Sequence, residues 1–464
     1  MKKILALLLA VLMITAIFAG CAKTQTPDTT EPQTVEPTEQ TTEQTAEQPS
    51  DEHEAVTLSV WYYDDPGVSD VMDAWAQAVQ SAYSWITLKF EALPYDSGPE
   101  KFTVACATGT TPDIYIDGYS RIAPAVYAGL TVDLKELVDT HQDAFLGKQE
   151  EGLVDGKLGY ISHSTDSAYA VLVNMDLAER LGVADMLPAD YESWSYDDYL
   201  AICRKAKEED PSIIPAGLFA GSQSSDAWYY TWLLANGSKL TDEALTKTVF
   251  NSDEYRDTTL ETLNFFKTLI DENLVPDGCA TQTDENVASL FMAGQLLFVH
   301  GGYNSLPYYY GFQKEGSSME FTMDAYAVPT SSGKAGPSAN WGTFGFCGFD
   351  NNGHAEDIKR TIGVWLEHPE IQSAYSSVTG RLPQLAGTNV QYETEHITEV
   401  MDRATVFSAE HNTSDFGILE PWWSDFRQTF YPQLQDFYTG AIDAQTMLNN
   451  WQSAADAVIA AAAK

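Results

Sequence analysis

Basic residues are scarce in this chain: 25 Lys+Arg stand against 67 Asp+Glu in 464 residues, a formal net charge of −42. Neutralising a phosphate backbone takes clustered Lys and Arg, so nucleic acid is excluded as a partner. The same deficit argues against lying flat on anionic lipid. Cysteine is also sparse, five residues in all. Cys106, Cys203, Cys279 and Cys347 are widely spaced with no C-x-x-C pair, which excludes the common zinc and dithiol redox motifs. Spacing alone leaves open whether they pair or stay as buried thiols. No G-x-S-x-G elbow, H-E-x-x-H helix or Cys–His nucleophile motif occurs. The eight His are scattered. Gly342, Gly345 and Gly348 lack the dinucleotide-binding pattern and suit close backbone approach instead. The apolar run at residues 4–18 falls short of the about 20 residues that span a bilayer.

That run has a different meaning. Lys2 and Lys3 precede it, and Ala19-Gly20-Cys21 follows, the charged, apolar, small-residue order of a secretory signal. An ordinary signal peptide with an incidental Cys fits this order. The junction also resembles a lipoprotein signal, with Phe18 where Leu is usual, and this is the favoured reading. It makes 1–20 the signal and Cys21 an acylated residue anchoring the protein to the outer face of the cell membrane. Residues 22–54 are Thr, Gln, Glu and Pro without an aromatic ring, too polar to offset the cost of ordering, so a disordered linker is expected over 21–54.

About 410 residues remain, more than one ordinary core holds, so two lobes are expected. Val56, Leu58 and Val60 alternate as in a strand. Val71, Met72, Trp75, Val79 and Tyr83 recur at helical spacing, with Ser69 a plausible N-cap. Strands at 86–90 and 114–116 flank a second helix. Strand–helix–strand–helix–strand predicts a parallel sheet, whose ligands sit beyond the carboxyl ends of the strands. Those ends carry Tyr63, Asp64, Asp65 and, after the third strand, Asp117, Tyr119 and Arg121. Asp155-Gly156 predicts a hairpin turn. Ser195 with Asp198 predicts a capped helix start, and helices are expected over 254–272 and through most of 422–463.

Taken together, these pieces resemble the family-one extracellular solute-binding proteins, which include the maltose- and oligosaccharide-binding proteins. The resemblance rests on Trp61 closing the first strand, Ala107-Thr108-Gly109-Thr110-Thr111-Pro112-Asp113-Ile114, Asp155-Gly156-Lys157-Leu158, Asn174-Met175-Asp176-Leu177, and Trp194-Ser195-Tyr196-Asp197-Asp198. Phe291-Met292-Ala293-Gly294-Gln295, Val328-Pro329 and Gly380-Arg381-Leu382-Pro383 extend it. It implies an α/β, two-lobe periplasmic-binding-protein-like fold (type II), with hinged lobes that each carry a central sheet flanked by helices. The lobes are expected at 55–163 plus about 322–376, and at about 164–321 plus 377–464. Hinges are expected near 160–167 and 321–327.

The resemblance implies a monomer without cofactor or metal that captures a sugar or oligosaccharide and delivers it to the permease subunits of an ABC importer. It also implies site positions. The strand-end residues above join Trp228, Tyr229, Tyr303, Trp341, Arg381, Trp422 and Trp423. A sugar has apolar C–H faces and a rim of hydroxyls. Flat rings cover the faces, while carboxylates and Arg bond the rim, and 11 Trp and 24 Tyr are ample material. Arg121 or Arg381 offers the local means to hold an anion despite the acidic balance. Trp75 and Trp365 lie on helix faces and are expected in the core. The competing function is a secreted, lipid-anchored glycosidase built on a pair of carboxylates.

Overall fold

The computed structural model describes residues 53–95, 97–316, 318–413 and 416–462. The 1–20 segment, Cys21 and all but the last two residues of the 21–54 segment lie outside them. Alternating burial of Val56, Leu58 and Val60 makes β1 (Val56–Tyr63), whose last three residues, Trp61, Tyr62 and Tyr63, are covered on both faces. β2 (Ile86–Leu93) and β3 (Ile114–Gly118) flank it in parallel, in registers Val56↔Ile86 and Val60↔Ile114. The helices Val68–Ala82 and Gly98–Thr108 fill the two crossovers, as parallel pairing requires. Trp75 and Trp365 meet edge to face at 5.3 Å in the core beneath this sheet. The Trp75 indole donates to the Thr361 carbonyl.

The sheet is completed by chain that returns from the second lobe. Its order is β10-β4-β9-β3-β1-β2, with β4 at Ile161–Thr165, β9 at Thr343–Gly348 and β10 at Leu382–Pro383. β9 runs antiparallel between β3 and β4. Glycine is obligatory there: a Cβ on Gly345 would stand 1.9 Å from the Ile161 carbonyl oxygen, and one on Gly348 would stand 2.6 Å from Ile358 Cγ2. The second lobe holds the sheet β8-β5-β7-β6, made of β5 (Tyr169–Asn174), β6 (Ile214–Ala216), β7 (Leu296–Gly302) and β8 (Met323–Ala327).

Local chemistry sets the element ends. Ser195 Oγ accepts from the Asp198 N–H, and the Asp198 carboxylate accepts from the Ser195 N–H, the reciprocal cap expected for Tyr196–Glu209. Asp155 and Gly156 both take positive φ, 50° and 82°, the primed hairpin turn that Asp-Gly favours. The expected cap at Ser69 is not made. Val68–Ala82 begins one residue before it, behind Gly67, without a side-chain cap.

The strand pairing also moves two lobe limits. Met323–Ala327 pairs with Tyr169–Asn174 and so belongs to the smaller sheet, although a limit near 322 placed it in the first lobe. Leu382–Pro383 pairs with Thr165 and Ser164 and so belongs to the larger sheet, beyond the limit near 376. The chain therefore crosses between sheets after Thr165, across 328–342, and after Pro383. Of the two expected hinge segments, 160–167 contains the first crossing, while 321–327 lies mostly within β8. Among the described residues no helix is long and apolar enough to cross a membrane. Cys106, Cys203, Cys279 and Cys347 are free thiols.

Candidate functional site

A cleft of about 440 Å³ opens where the carboxyl ends of β1, β2 and β3 meet the second lobe. That volume lies within the about 300–1,000 Å³ usual for small-molecule sites. Each first-lobe strand supplies part of one wall: Asp64 and Asp65 after β1, Tyr95 after β2, Ser120 and Arg121 after β3. The opposite wall is built from helix starts. Trp228 comes from Ser225–Ala235, Asp284 and Glu285 from Asp284–Met292, and Tyr308 from Ser305–Lys314. Asp166, Tyr169, Trp341, Phe344 and Arg381 come from the crossings and the strands beside them, and Arg427 reaches in from Trp423–Gln428.

The three guanidinium groups are already engaged. Arg121 donates to Asp117 at 3.1 Å. Asp117 is fully buried and also accepts from the Gly118 N–H and from the hydroxyls of Tyr115 and Tyr63. Arg427 grips the buried Asp226 through two hydrogen bonds of 2.6 and 2.8 Å, and its guanidinium lies 4.9 Å from the Trp341 ring. Arg381 is packed on Phe344, 3.6 Å from the ring centre, between Asp65 and Asp166. Its contact with Asp166 is an ion pair at 3.3 Å without hydrogen-bond geometry. The Tyr95 hydroxyl accepts from Arg381 and donates to Asp65. Burial pushes the carboxyls of Asp65, Asp166 and Asp226 up, against the lowering field of their arginines.

The structure thus places Asp64, Asp65, Arg121, Trp228, Trp341 and Arg381 on the cleft. Two expected site residues stand one layer behind it: Asp117 holds Arg121, and Tyr63 stacks on Tyr95 with ring centres 4.2 Å apart. Five do not border the cleft. Tyr119 is buried against Tyr160. Tyr229 follows Trp228 by one residue, which turns it about 100° round the helix into Phe266, and its hydroxyl donates to the Phe219 carbonyl. Tyr303 is held inside by its N–H bond to the Ala168 carbonyl and packs near Phe407. Trp422 covers Gly417 and meets Phe426, and Trp423 is fully buried among aromatic rings.

Sequence reasoning missed Tyr95, Asp166, Tyr169, Tyr308 and Arg427. Tyr95 had a usable signal, because it follows the end of β2 as Asp65 follows that of β1. The others became neighbours only through the crossings and the second lobe. No group of three or more His, Cys, Asp or Glu able to hold a metal occurs among the described residues.

Two α/β lobes, joined by crossing segments around a ligand-sized cleft, define a periplasmic-binding-protein-like fold. The chain belongs to the bacterial extracellular solute-binding protein family, which it matches over residues 66–360. A binding protein of Brucella abortus (strain 2308) is 24% identical over 392 residues, covering 82% of this chain and 88% of that one. The fold is similar to an ABC transporter solute-binding protein of Thermotoga lettingae TMO bound with α-D-tagatose (TM-score 0.72, 14% identity, 87% of this chain and 99% of that one). It is also similar to the GacH receptor of Streptomyces glaucescens GLA.O, solved unliganded and with acarbose (TM-score 0.70, 14% identity, 88% and 99%). Maltose-bound MalE3 of T. maritima gives a TM-score of 0.69 at 17% identity, over 86% of this chain and 98% of that one.

Proposed function

We propose that the protein captures a sugar or oligosaccharide in this cleft and delivers it to an ABC importer, tethered outside the cell by the lipid on Cys21. One observation carries the reading. Aromatic rings and hydrogen-bonding side chains line the same cleft, with Trp228 and Tyr308 on one wall and Tyr95, Asp65 and Arg121 on the other. Rings match the C–H faces of a pyranose, and the polar groups match its hydroxyl rim. The sugars bound by the Thermotoga, Streptomyces and T. maritima proteins support the same class of ligand.

A thermal-shift screen against oligosaccharides tests this. A true ligand at about 100 times its Kd stabilises the fold by about 2.7 kcal/mol. Trp228 is half-buried at the cleft, so Trp228→Ala is expected to remove about 1 kcal/mol of ring contact, a roughly fivefold loss of affinity by calorimetry. Unchanged affinity would remove Trp228 from the site. Release of sugar products at a rate tracking the protein would replace the reading with that of a glycosidase. The tether has its own test: Cys21→Ala is expected to free the protein from the membrane fraction or block its processing, and unchanged retention with unchanged N-terminal mass would dismiss it.

A further inference from the structure

We infer that the lobes meet at stops beside the cleft, the tighter one Gly311 against Pro66, so that the ligand is a short saccharide held whole rather than a stretch of a longer chain. The inference rests on the sugar-binding reading and adds a length limit to it. The first observation is a glycine that its own backbone does not require. Gly311 lies inside the helix Ser305–Lys314 and lacks the positive φ that favours glycine. Glycine weakens a helix interior relative to alanine. A Cβ on Gly311 would stand 2.7 Å from Pro66 Cβ and 3.4 Å from Pro66 Cγ. Two carbons do not pack at 2.7 Å, so the missing side chain is what lets this second-lobe helix touch the loop after β1.

The second observation is where that contact falls. Pro66 follows Asp65, and Gly311 stands one turn beyond Tyr308. Asp65 and Tyr308 belong to facing walls of the cleft. The walls therefore touch just past them, and the cleft ends there. The start of the same helix also meets the first lobe. Gly380 ends the helix Pro369–Thr379, which enters the first lobe's core through Ile371 and Tyr375. A Cβ on Gly380 would stand 2.7 Å from the Asn304 Cα and carbonyl oxygen. The third observation is another meeting of the lobes, beyond Arg121 and Arg427. The helix that carries Arg121 ends at Tyr127, whose hydroxyl donates to the Leu419 carbonyl at 3.5 Å. Leu419 leads toward the helix that carries Arg427, and its side chain packs against a core cluster of each lobe.

The physical consequence concerns length. A cleft open along its sides lets a polymer run through, and units outside it change nothing. Where the walls touch, each further sugar unit must bend out through the mouth or hold the lobes apart. Parted lobes lose the contacts shared between both walls, and those contacts supply the differential affinity for the closed state.

Calorimetry with four linear ladders tests this, each running from disaccharide to hexasaccharide: malto-, cello-, xylo- and chito-oligosaccharides. In a ladder that binds, affinity is expected to peak at the disaccharide or trisaccharide and to fall at least tenfold by the hexasaccharide. A hexasaccharide that binds as tightly as the trisaccharide would overturn the length limit. Variants test the stop itself. In a helix with free space Gly311→Ala would raise the melting temperature. Here it is expected to lower it, and to weaken binding of the short saccharide at least fivefold. Pro66→Gly removes the two carbons that the new methyl group would meet, so adding it to Gly311→Ala is expected to recover affinity. A Gly311→Ala protein that melts and binds like the wild type would overturn the stop, and so would a double variant that binds no more tightly than the single one. Failure of every ladder would remove the sugar-binding reading and the length limit with it, while the melting of Gly311→Ala still decides the stop.

Discussion

Replacing Arg381 with methionine is expected to destabilise the protein by about 3–5 kcal/mol at pH 7, because two buried carboxylates lose the guanidinium that pairs with both. The side chain is only 7% exposed. It faces Asp65 from the loop after β1 and Asp166 from the first crossing, and it sits just ahead of β10 at the third. Methionine keeps most of the volume over Phe344, so the loss is one of charge rather than packing. The pH dependence has a definite sign. Burial already raises the carboxyls of Asp65 and Asp166, with the arginine's field opposing it. Without that field both rise further. The folded state then holds protons that the unfolded state has released, and stability increases as pH falls through the raised values toward the ordinary carboxylate range. The deficit of the variant is therefore expected to be smaller at pH 5 than at pH 7. Denaturant unfolding at the two pH values decides it. A variant within about 1 kcal/mol of wild type at pH 7 would contradict the buried-pair account, and so would a deficit that grows with acid.

What was legible in the sequence follows from the range of each signal. β1, the helix carrying Trp75, the Asp155-Gly156 turn and the Ser195 cap are written in periods and spacings of a few residues, and they form where expected. The lobe limits are not local. Met323–Ala327 is a good strand for either sheet, and only its pairing with Tyr169–Asn174 assigns it. In the site, the strand-end rule found Asp65 and Arg121 and would have found Tyr95 had it been applied to β2. It does not separate a residue on the cleft from one behind it. Asp117 ends a buried strand and Asp65 follows one, yet Asp117 spends both oxygens on Arg121, Gly118, Tyr115 and Tyr63. With aromatic rings the difficulty is rotational. Neighbours such as Trp228 and Tyr229 point about 100° apart on a helix, and which one meets the cleft depends on where that helix docks.

Trp423 is where this distinction has the largest measurable consequence. A tryptophan near turns and polar residues suggested a ring for stacking on sugar, but the side chain is 1% exposed. It stacks on Phe426 with ring centres 5.3 Å apart and meets Phe416 at 5.3 Å and Trp341 at 5.7 Å. Truncating it leaves a large cavity among rigid rings that cannot collapse to fill it, so Trp423→Ala is expected to cost about 3–5 kcal/mol. Its effect on binding is indirect. Trp341 borders the cleft with Trp423 packed against it and Arg427 near its ring, so loss of Trp423 removes support from that wall. Affinity should therefore fall together with melting temperature. Trp228→Ala, by contrast, should lose affinity with only a small change in melting, because its ring is half-buried at the cleft surface. Calorimetric titration and thermal melting of the two variants, run in parallel, separate the roles. If Trp423→Ala melts like the wild type and yet binds nothing, its ring contacts the ligand directly. The packing described for Trp423–Gln428 is then not the one the protein adopts when it closes.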